Sequence, residues 1–421
     1  MKIAVFEDES IETFEPLTLT RPVFSLKMGM ESLCTRYSRV LDLPLGSAFT
    51  REYLAESTEA SMGVPVNPTV SDLQGDWLFL NGRISDPTEI RLEGPDEVGI
   101  SRGSVVYARV CSETIRESGC SDMSSFLDFL KKKCKQEETE VPMLGSIWEL
   151  MLESPDMISR DFNEFDRTGI HGKISEGSYV VGEESDIYVA PTAVVDPLVV
   201  LDASEGPIYI DEDVRVFPHT RVEGPSYIGR GTQLVGGKIR EGCSIGPVCR
   251  VGGEVEESIF HGHSNKYHDG FIGHSYVGEW VNLGALTTNS DLKNDYTDVK
   301  IYVNGSPTDT GSTKVGSFIG DHVKTGIGSL LNTGTMIGVM SILMPSGEVF
   351  PKDIPSFCIL HRNKVRRGLG LEKLVETARK VMGRRGVEMQ EADVRVLQHV
   401  YRTTAERRET LIKRDRRKRA R

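Results

Sequence analysis

The stretch Glu254–Tyr296, "EVEESIFHGHSNKYHDGFIGHSYVGEWVNLGALTTNSDLKNDY", gathers residue types that do chemistry and holds four of the nine histidines, at 261, 263, 268 and 274. An imidazole titrates near neutrality, so it can take a proton from an attacking amine or hydroxyl. The Gly284-Ala285 turn offers backbone N–H groups to a developing oxyanion. Lys238, Arg240, Arg250 and Lys266 are near enough in sequence to hold a phosphate. Together these groups suit base catalysis on an anionic substrate. Other chemistry competes for the same residues. His263 and His268 lie five apart, and with His261 or His274 they would make a three-histidine zinc site with an open water position, suited to hydration or hydrolysis. A lone histidine can equally be a hydrogen-bonded turn residue, and Lys238 and Arg250 can be solvated surface charges.

What surrounds this stretch must position it. From Gly172 to Phe357 the chain is Gly-rich and β-branched, and one aliphatic residue recurs every six. Val189, Val195 and Leu201 begin the series, and Ile210, Val216, Val222, Ile228 and Leu234 resume it after three extra residues. It returns at Ile245 and Val251, at Val277 and Leu283, and at Ile319, Leu331, Ile337 and Leu343. This is the hexapeptide pattern of a parallel β-helix, in which aliphatic side chains fill a three-sided prism. The pattern lapses between Val255 and Val315, where the polar residues crowd. A repeat abandoned at such a place marks a candidate site. Residues 1–165 mix strand-like "KIAVF" and "DWLFLNGRI" with a helical spacing over Met123–Glu138, which predicts an α/β domain. Residues 361–421 read as a basic helical tail. "LEKLVETARKVMGRRG" carries an apolar stripe, "EADVRVLQHVYRTTAERRETLIKRDRRKRAR" continues as helix, and "IKRDRRKRAR" is expected to be solvated and partly disordered.

Two motifs carry a family resemblance. "HDGFIGHSYVGEWVNLGA", His268–Ala285, resembles the acetyltransferase part of the GlmU-type bifunctional enzymes, which join a left-handed β-helix to an N-terminal uridylyltransferase. In that family a histidine precedes an asparagine turn by fourteen residues, and His268 and Asn282 hold those places here. The resemblance implies His268 as general base, Asn282 as the orienting residue, and Lys314, in "STKVGSFIGDH", as a residue meeting acetyl-CoA. Phe271 stands where the family has a tyrosine, and a longer loop, Asn289–Thr313, follows. The acceptor contacts are therefore open, with Asn289, Asn294 and Tyr296 as candidates. The second motif, "PLTLTRP" with "FLNGRI", resembles the start of sugar-phosphate nucleotidyltransferases. Their Gly-rich phosphate loop is replaced by "FEDESIETFE", their lysine by Val23, and a metal-holding aspartate by Arg83. The acids at Glu7, Asp8, Glu9, Glu12 and Glu15 are expected to repel a triphosphate. Arg21, Lys27 and Arg83 remain candidates for a phosphorylated sugar or nucleotide. The histidine spacing is also similar to that of the β-helical carbonic anhydrases.

The expected fold is therefore a Rossmann-like nucleotidyltransferase-type α/β domain, a left-handed parallel β-helix and a C-terminal helical tail. The expected function is acetyl-CoA-dependent acetyl transfer to a sugar phosphate or nucleotide sugar, in a homotrimer, in the cytoplasm. The alternatives are nucleotidyl transfer as the main activity, a zinc hydratase, and a non-catalytic trimeric scaffold. No metal is expected in the β-helix, and Mg is needed only if the first domain is active. Composition narrows the classes further. The seven cysteines are scattered without a C-x-x-C pair, which suits reduced thiols. No apolar run reaches the ~20 residues that span a bilayer, and "MKIAVFEDES" does not read as a signal peptide. From His361 onward there are 20 Lys+Arg and 8 Asp+Glu, a surplus of 12, against −12 for the whole chain. The remainder is strongly acidic, which argues against nucleic acid anywhere but at the tail.

Overall fold

In the first 146 residues, alternating apolar strands and helices build one sheet. The computed structural model describes residues 1–303 and 305–417. Its contacts divide the chain into two units: Met1–Phe14, Thr20–Leu26 and Glu31–Ser146 form one, and Glu15–Leu19, Lys27–Met30 and Ile147–Arg421 the other. In the first, six strands lie in the order Leu45–Phe49, Lys2–Phe6, Trp77–Asn81, Ser104–Val110, Glu97–Ser101, Lys135–Glu138. The first three are mutually parallel, and Ser104–Val110 runs antiparallel to both its neighbours. Helices α1 (Leu33–Val40), α2 (Ala55–Met62), α3 (Ser112–Ser118) and α4 (Met123–Lys133) complete the unit. Phe79 and Phe126 meet with ring centroids 5.1 Å apart, which ties α4 to the sheet. The helix expected to reach Glu138 stops at Lys133. Cys134 turns extended, and Lys135–Glu138, charged and without an apolar stripe, pairs as an edge strand with Glu97–Ser101. A charged strand suits an edge because it discourages further pairing.

The second unit begins with α5 (Ile147–Leu152) and α6 (Ser154–Phe165), then winds as a parallel β-solenoid of about eleven turns over residues 169–361. Every aliphatic residue of the six-residue series is buried, at 3% exposure or less, in one continuous core. One sheet stacks Ile187 on Ile208, then Ser226, then Cys243, each strand parallel to the next. The expected lapse from Val255 is not a loss of the coil. Ser244 pairs with Ile259, and Ile259 with Tyr276, so turns of 15 and 17 residues replace the full 18 and shift the pattern out of phase. Val255, Phe260, Ile272 and Val277 keep filling the core. The coil is left only after Asn289. There residues 290–314 loop out around an antiparallel hairpin, Lys300–Val303 with Ser306–Asp309, before Phe318 rejoins beside Tyr276.

An antiparallel pair, Cys358–His361 with Lys364–Arg367, ends the solenoid. Helices α7 (Leu371–Gly383), α8 (Glu391–Thr403) and α9 (Ala405–Arg417) follow. The helix expected to run on from Glu391 is broken at Thr404. The tail expected to be solvated is instead anchored, because Ile412 is buried and the Asp415 carboxylate accepts the Val365 N–H at 2.8 Å. The rest of that expectation falls on residues 418–421, outside those described. Among the described residues no helix is long and apolar enough to cross a membrane.

Candidate active site

A cleft of about 460 Å³ opens on the second unit where the strand Asn265–Lys266 gives way to a turn. Three residues hold that turn. Lys266, 2% exposed, donates its ammonium to the carbonyls of Gly252 (2.7 Å) and His268 (3.0 Å). Burial pushes the Lys266 pKa down to about 8, against the pull of Asp269 and Glu254. The Asp269 carbonyl accepts the Leu286 N–H at 2.7 Å. Gly270 lies at φ +128° with the Thr287 carbonyl so close that a Cβ would stand 2.2 Å from it. The backbone of His268 is thereby fixed, while its ring is exposed to the cleft beside Tyr267, with centroids 5.1 Å apart.

Across the cleft stand Asn282, Gly284 and Ala285. Asn282 is held in the ladder by its own N–H to Val323 O and by the Thr325 N–H to its carbonyl. Its side-chain oxygen accepts from Asn265 Nδ2 at 3.3 Å, and Asn265 Oδ1 accepts from Arg385 Nη2 at 2.8 Å. That relay leaves the Asn282 amide N–H groups for a ligand. The Gly284 N–H, expected to serve an oxyanion, is already given to Thr325 Oγ1 at 2.9 Å. The Ala285 N–H has no acceptor among the described residues. Arg250, half-buried, also lines the cleft and donates Nη1 to the carbonyls of Gly231 and Cys249. Sequence reasoning missed Arg384 and Arg385, which reach the same cleft from the end of α7. Only the doubled arginine between two glycines in "GRRG" marked them.

The other candidates do not line this cleft. Lys314 sits 3.4 Å from Glu256. Arg240 is ringed by Glu223, Glu241, Glu254 and Glu256 at 3.5–3.8 Å. Lys238 is exposed beside Glu254. Asn289 is buried and clamps both the N–H and the carbonyl of Gly273, a structural task. Asn294 and Tyr296 are exposed on the outlying loop. The histidines are dispersed as well. His261 pairs with the Tyr276 hydroxyl, His263 stacks on Trp280 at 4.2 Å, and His274 is held by Asp291 and Glu257. Among the described residues no three histidines come within ligating distance, so one chain does not assemble the zinc alternative. The group that does come together is Glu256, Glu257 and His274, with Lys314 already neutralising it.

Of the acids expected to repel a triphosphate, Glu7 and Asp8 are paired within the first unit, while Glu9 and Glu12 are exposed. Glu7 binds Arg51 at 3.0 Å and accepts the Val23 N–H. Asp8 takes Arg83 at 2.6 Å and Asn81 at 2.9 Å. Burial would raise the Asp8 pKa, but the Arg83 pair and Asn81 hold it below the usual value. A magnesium ion does not fit here: the carboxylate is spent on a guanidinium that stands where the resemblance puts a metal-holding aspartate. Arg21 is buried. Lys27, in the second unit, is also buried, giving its ammonium to the Met30 carbonyl and lying 4.5 Å over Tyr227.

Fold and site together define a two-part chain, a nucleotidyltransferase-type α/β domain followed by a β-solenoid with a cationic cleft. Residues 3–168 match the sugar nucleotidyl transferase family model. A bifunctional sugar-1-phosphate nucleotidylyltransferase/acetyltransferase of Sulfurisphaera tokodaii is 34% identical over 161 residues, 36% of this chain and 38% of that protein. The bifunctional protein GlmU of Gloeobacter violaceus is 30% identical over 35% of this chain and 28% of its own length. The GlmU of a Synechococcus species is 24% identical over 75% and 72%. The chain is thus similar to GlmU-type bifunctional proteins, and its first domain to sugar nucleotidyl transferases. The first two matches span well under half of those relatives' own lengths.

Proposed function

We propose that the solenoid transfers an acetyl group from acetyl-CoA to an amine or hydroxyl of a sugar phosphate or nucleotide-linked sugar. One observation carries the reading: His268, the free amide of Asn282 and the Ala285 N–H line the same cleft. His268 takes the proton as the acceptor attacks the thioester carbonyl. The Ala285 N–H and the Asn282 amide stabilise the oxyanion, a contribution of about 3 kcal/mol per donor in other acyl-transfer sites. The imidazolium then returns its proton to the departing thiolate. Lys314 has no part in this cleft, since Glu256 holds it. The reading includes a homotrimer in the cytoplasm. It leaves the α/β domain binding a phosphorylated sugar or nucleotide at most, because the Asp8–Arg83 pair occupies the place of metal chemistry.

His268→Ala is expected to lower acetyl transfer by at least ~100-fold while leaving the circular dichroism spectrum and sedimentation unchanged. The assay pairs acetyl-CoA with a panel of sugar 1-phosphates, and nucleoside triphosphates are tested separately. Normal turnover by the variant sinks the assignment.

A further inference from the structure

The basic side chains of the solenoid are mostly matched by acids. Arg215 pairs with Asp196, Arg221 with Asp202 and Glu223, and Arg230 with Glu212. The cleft breaks this rule. Arg250, Arg384 and Arg385 all line it, and none of the three forms an ion pair among the described residues. A solvated surface pair would be the ordinary reading for two adjacent arginines, and Arg384 is indeed exposed. Arg385 is not of that kind, because it is half-buried and fixed to Asn265 at 2.8 Å. Arg250 is not either. Burial lowers its pKa and the Arg385 charge lowers it further, so the two guanidiniums are near enough to repel each other.

The turn that brings them is well built. α7 closes at Gly383, the Arg385 N–H bonds the Met382 carbonyl at 2.8 Å, and Gly386 at φ +72° reverses the chain. The helix end carries partial negative charge, which favours two cations there but does not replace a counter-ion. Two of the three guanidiniums are also partly used by neutral oxygens, Arg250 by carbonyls and Arg385 by Asn265, which sets their direction and leaves further N–H groups for a ligand. Uncompensated, oriented arginines converging on a cleft are the arrangement that binds phosphate in bidentate fashion.

We propose that the turn after α7 is an anion clamp, in which Arg384 and Arg385 close with Arg250 on a phosphate group of a ligand seated beside His268. The inference deepens the acetyl-transfer reading and rests on it for the ligand's identity. The phosphate belongs either to coenzyme A or to the acceptor sugar, and binding separates them without turnover. Calorimetry is done on the full chain and on Arg384→Ala/Arg385→Ala, with coenzyme A against pantetheine and glucosamine 1-phosphate against glucosamine. The double variant is expected to bind one phosphorylated ligand at least about tenfold more weakly and that ligand's phosphate-free partner no differently. Which ligand suffers names the source. His268→Ala should still bind each phosphorylated ligand more tightly than its phosphate-free partner wherever the full chain does, whereas normal turnover by that variant would sink the acetyl-transfer reading and leave the clamp standing, so the two fail separately. Equal affinity of the double variant and the full chain for both phosphorylated ligands overturns the clamp, as does a full chain that binds neither.

Discussion

His274 shows how a residue singled out for chemistry can serve the fold. Its ring is buried, with Nδ1 at 2.8 Å from Asp291 and Nε2 at 3.3 Å from Glu257. Burial alone would lower its pKa, but the two carboxylates raise it from 6.5 to about 9. Glu256, Lys314 and Arg240 complete the charges around it. Because the folded state favours the imidazolium, its contribution is complete below pH 6.5 and fades as pH rises through about 9. The full contribution is on the order of 3 kcal/mol. Glu257 and Asp291 run the other way: their pKa values are lowered from 4.5 and 3.8, so their share is lost as pH falls below those values. The urea midpoint of the protein should therefore decline between pH 6.5 and 9, and that decline should vanish in His274→Gln. A wild-type midpoint that is flat across the window contradicts an ionised His274. His268 and His274 share one polar stretch of sequence, and only their surroundings separate them. Asn282 and Ala285 could be read from a local motif, whereas Arg384 and Arg385 arrive from a hundred residues away, beyond any local pattern.

At the scale of elements, the site depends on coils packed so closely that particular corners need glycine. Gly270 combines a backbone angle that L side chains rarely adopt with the Thr287 carbonyl against its α-carbon. Gly270→Ala should cost on the order of 2–3 kcal/mol in urea unfolding and, by moving the His268 turn, lower acetyl transfer as well. Gly383→Ala is the contrast, since nothing lies within 4 Å of an added Cβ and the residue is helical; it should be neutral or slightly stabilising. Comparable losses in both variants would show that close approach at Gly270 is not what matters. The solenoid was legible because one buried residue in six leaves a regular trace wherever a turn takes eighteen residues. Between Ile245 and Val277 the turns shorten, the trace slips phase, and an intact coil reads as a gap. The edge strand Lys135–Glu138 was illegible for another reason: its charges suit a strand only because Glu97–Ser101 lies alongside.

For the solenoid-bearing unit as a whole, the basic C-terminal segment is a structural cap, and its surplus charge hides this in the sequence. A stack of coils exposes its last apolar layer and its last strand unless something polar-faced covers them. Here Leu411 and Ile412 of α9 belong to the same buried core as Leu360 and Val365. Asp415 accepts the Val365 N–H, and Arg408, 5% exposed, reaches the Ser356 carbonyl while lying 4.4 Å from the Tyr401 ring. Arg407 and Arg367 add pairs to Asp353 and Glu409. Three arginines of the segment are thus spent on holding the helices down. Removing residues 405–421 should bare Leu360 and Val365, lower the urea midpoint, and produce concentration-dependent association beyond the native assembly in sedimentation. Because Arg384 and Arg385 precede the cut, the deleted chain should keep its affinity for phosphorylated ligand at low protein concentration. A truncated chain with the native midpoint and the native mass would mean that the last coil needs no cover, and that α9 is there for another purpose.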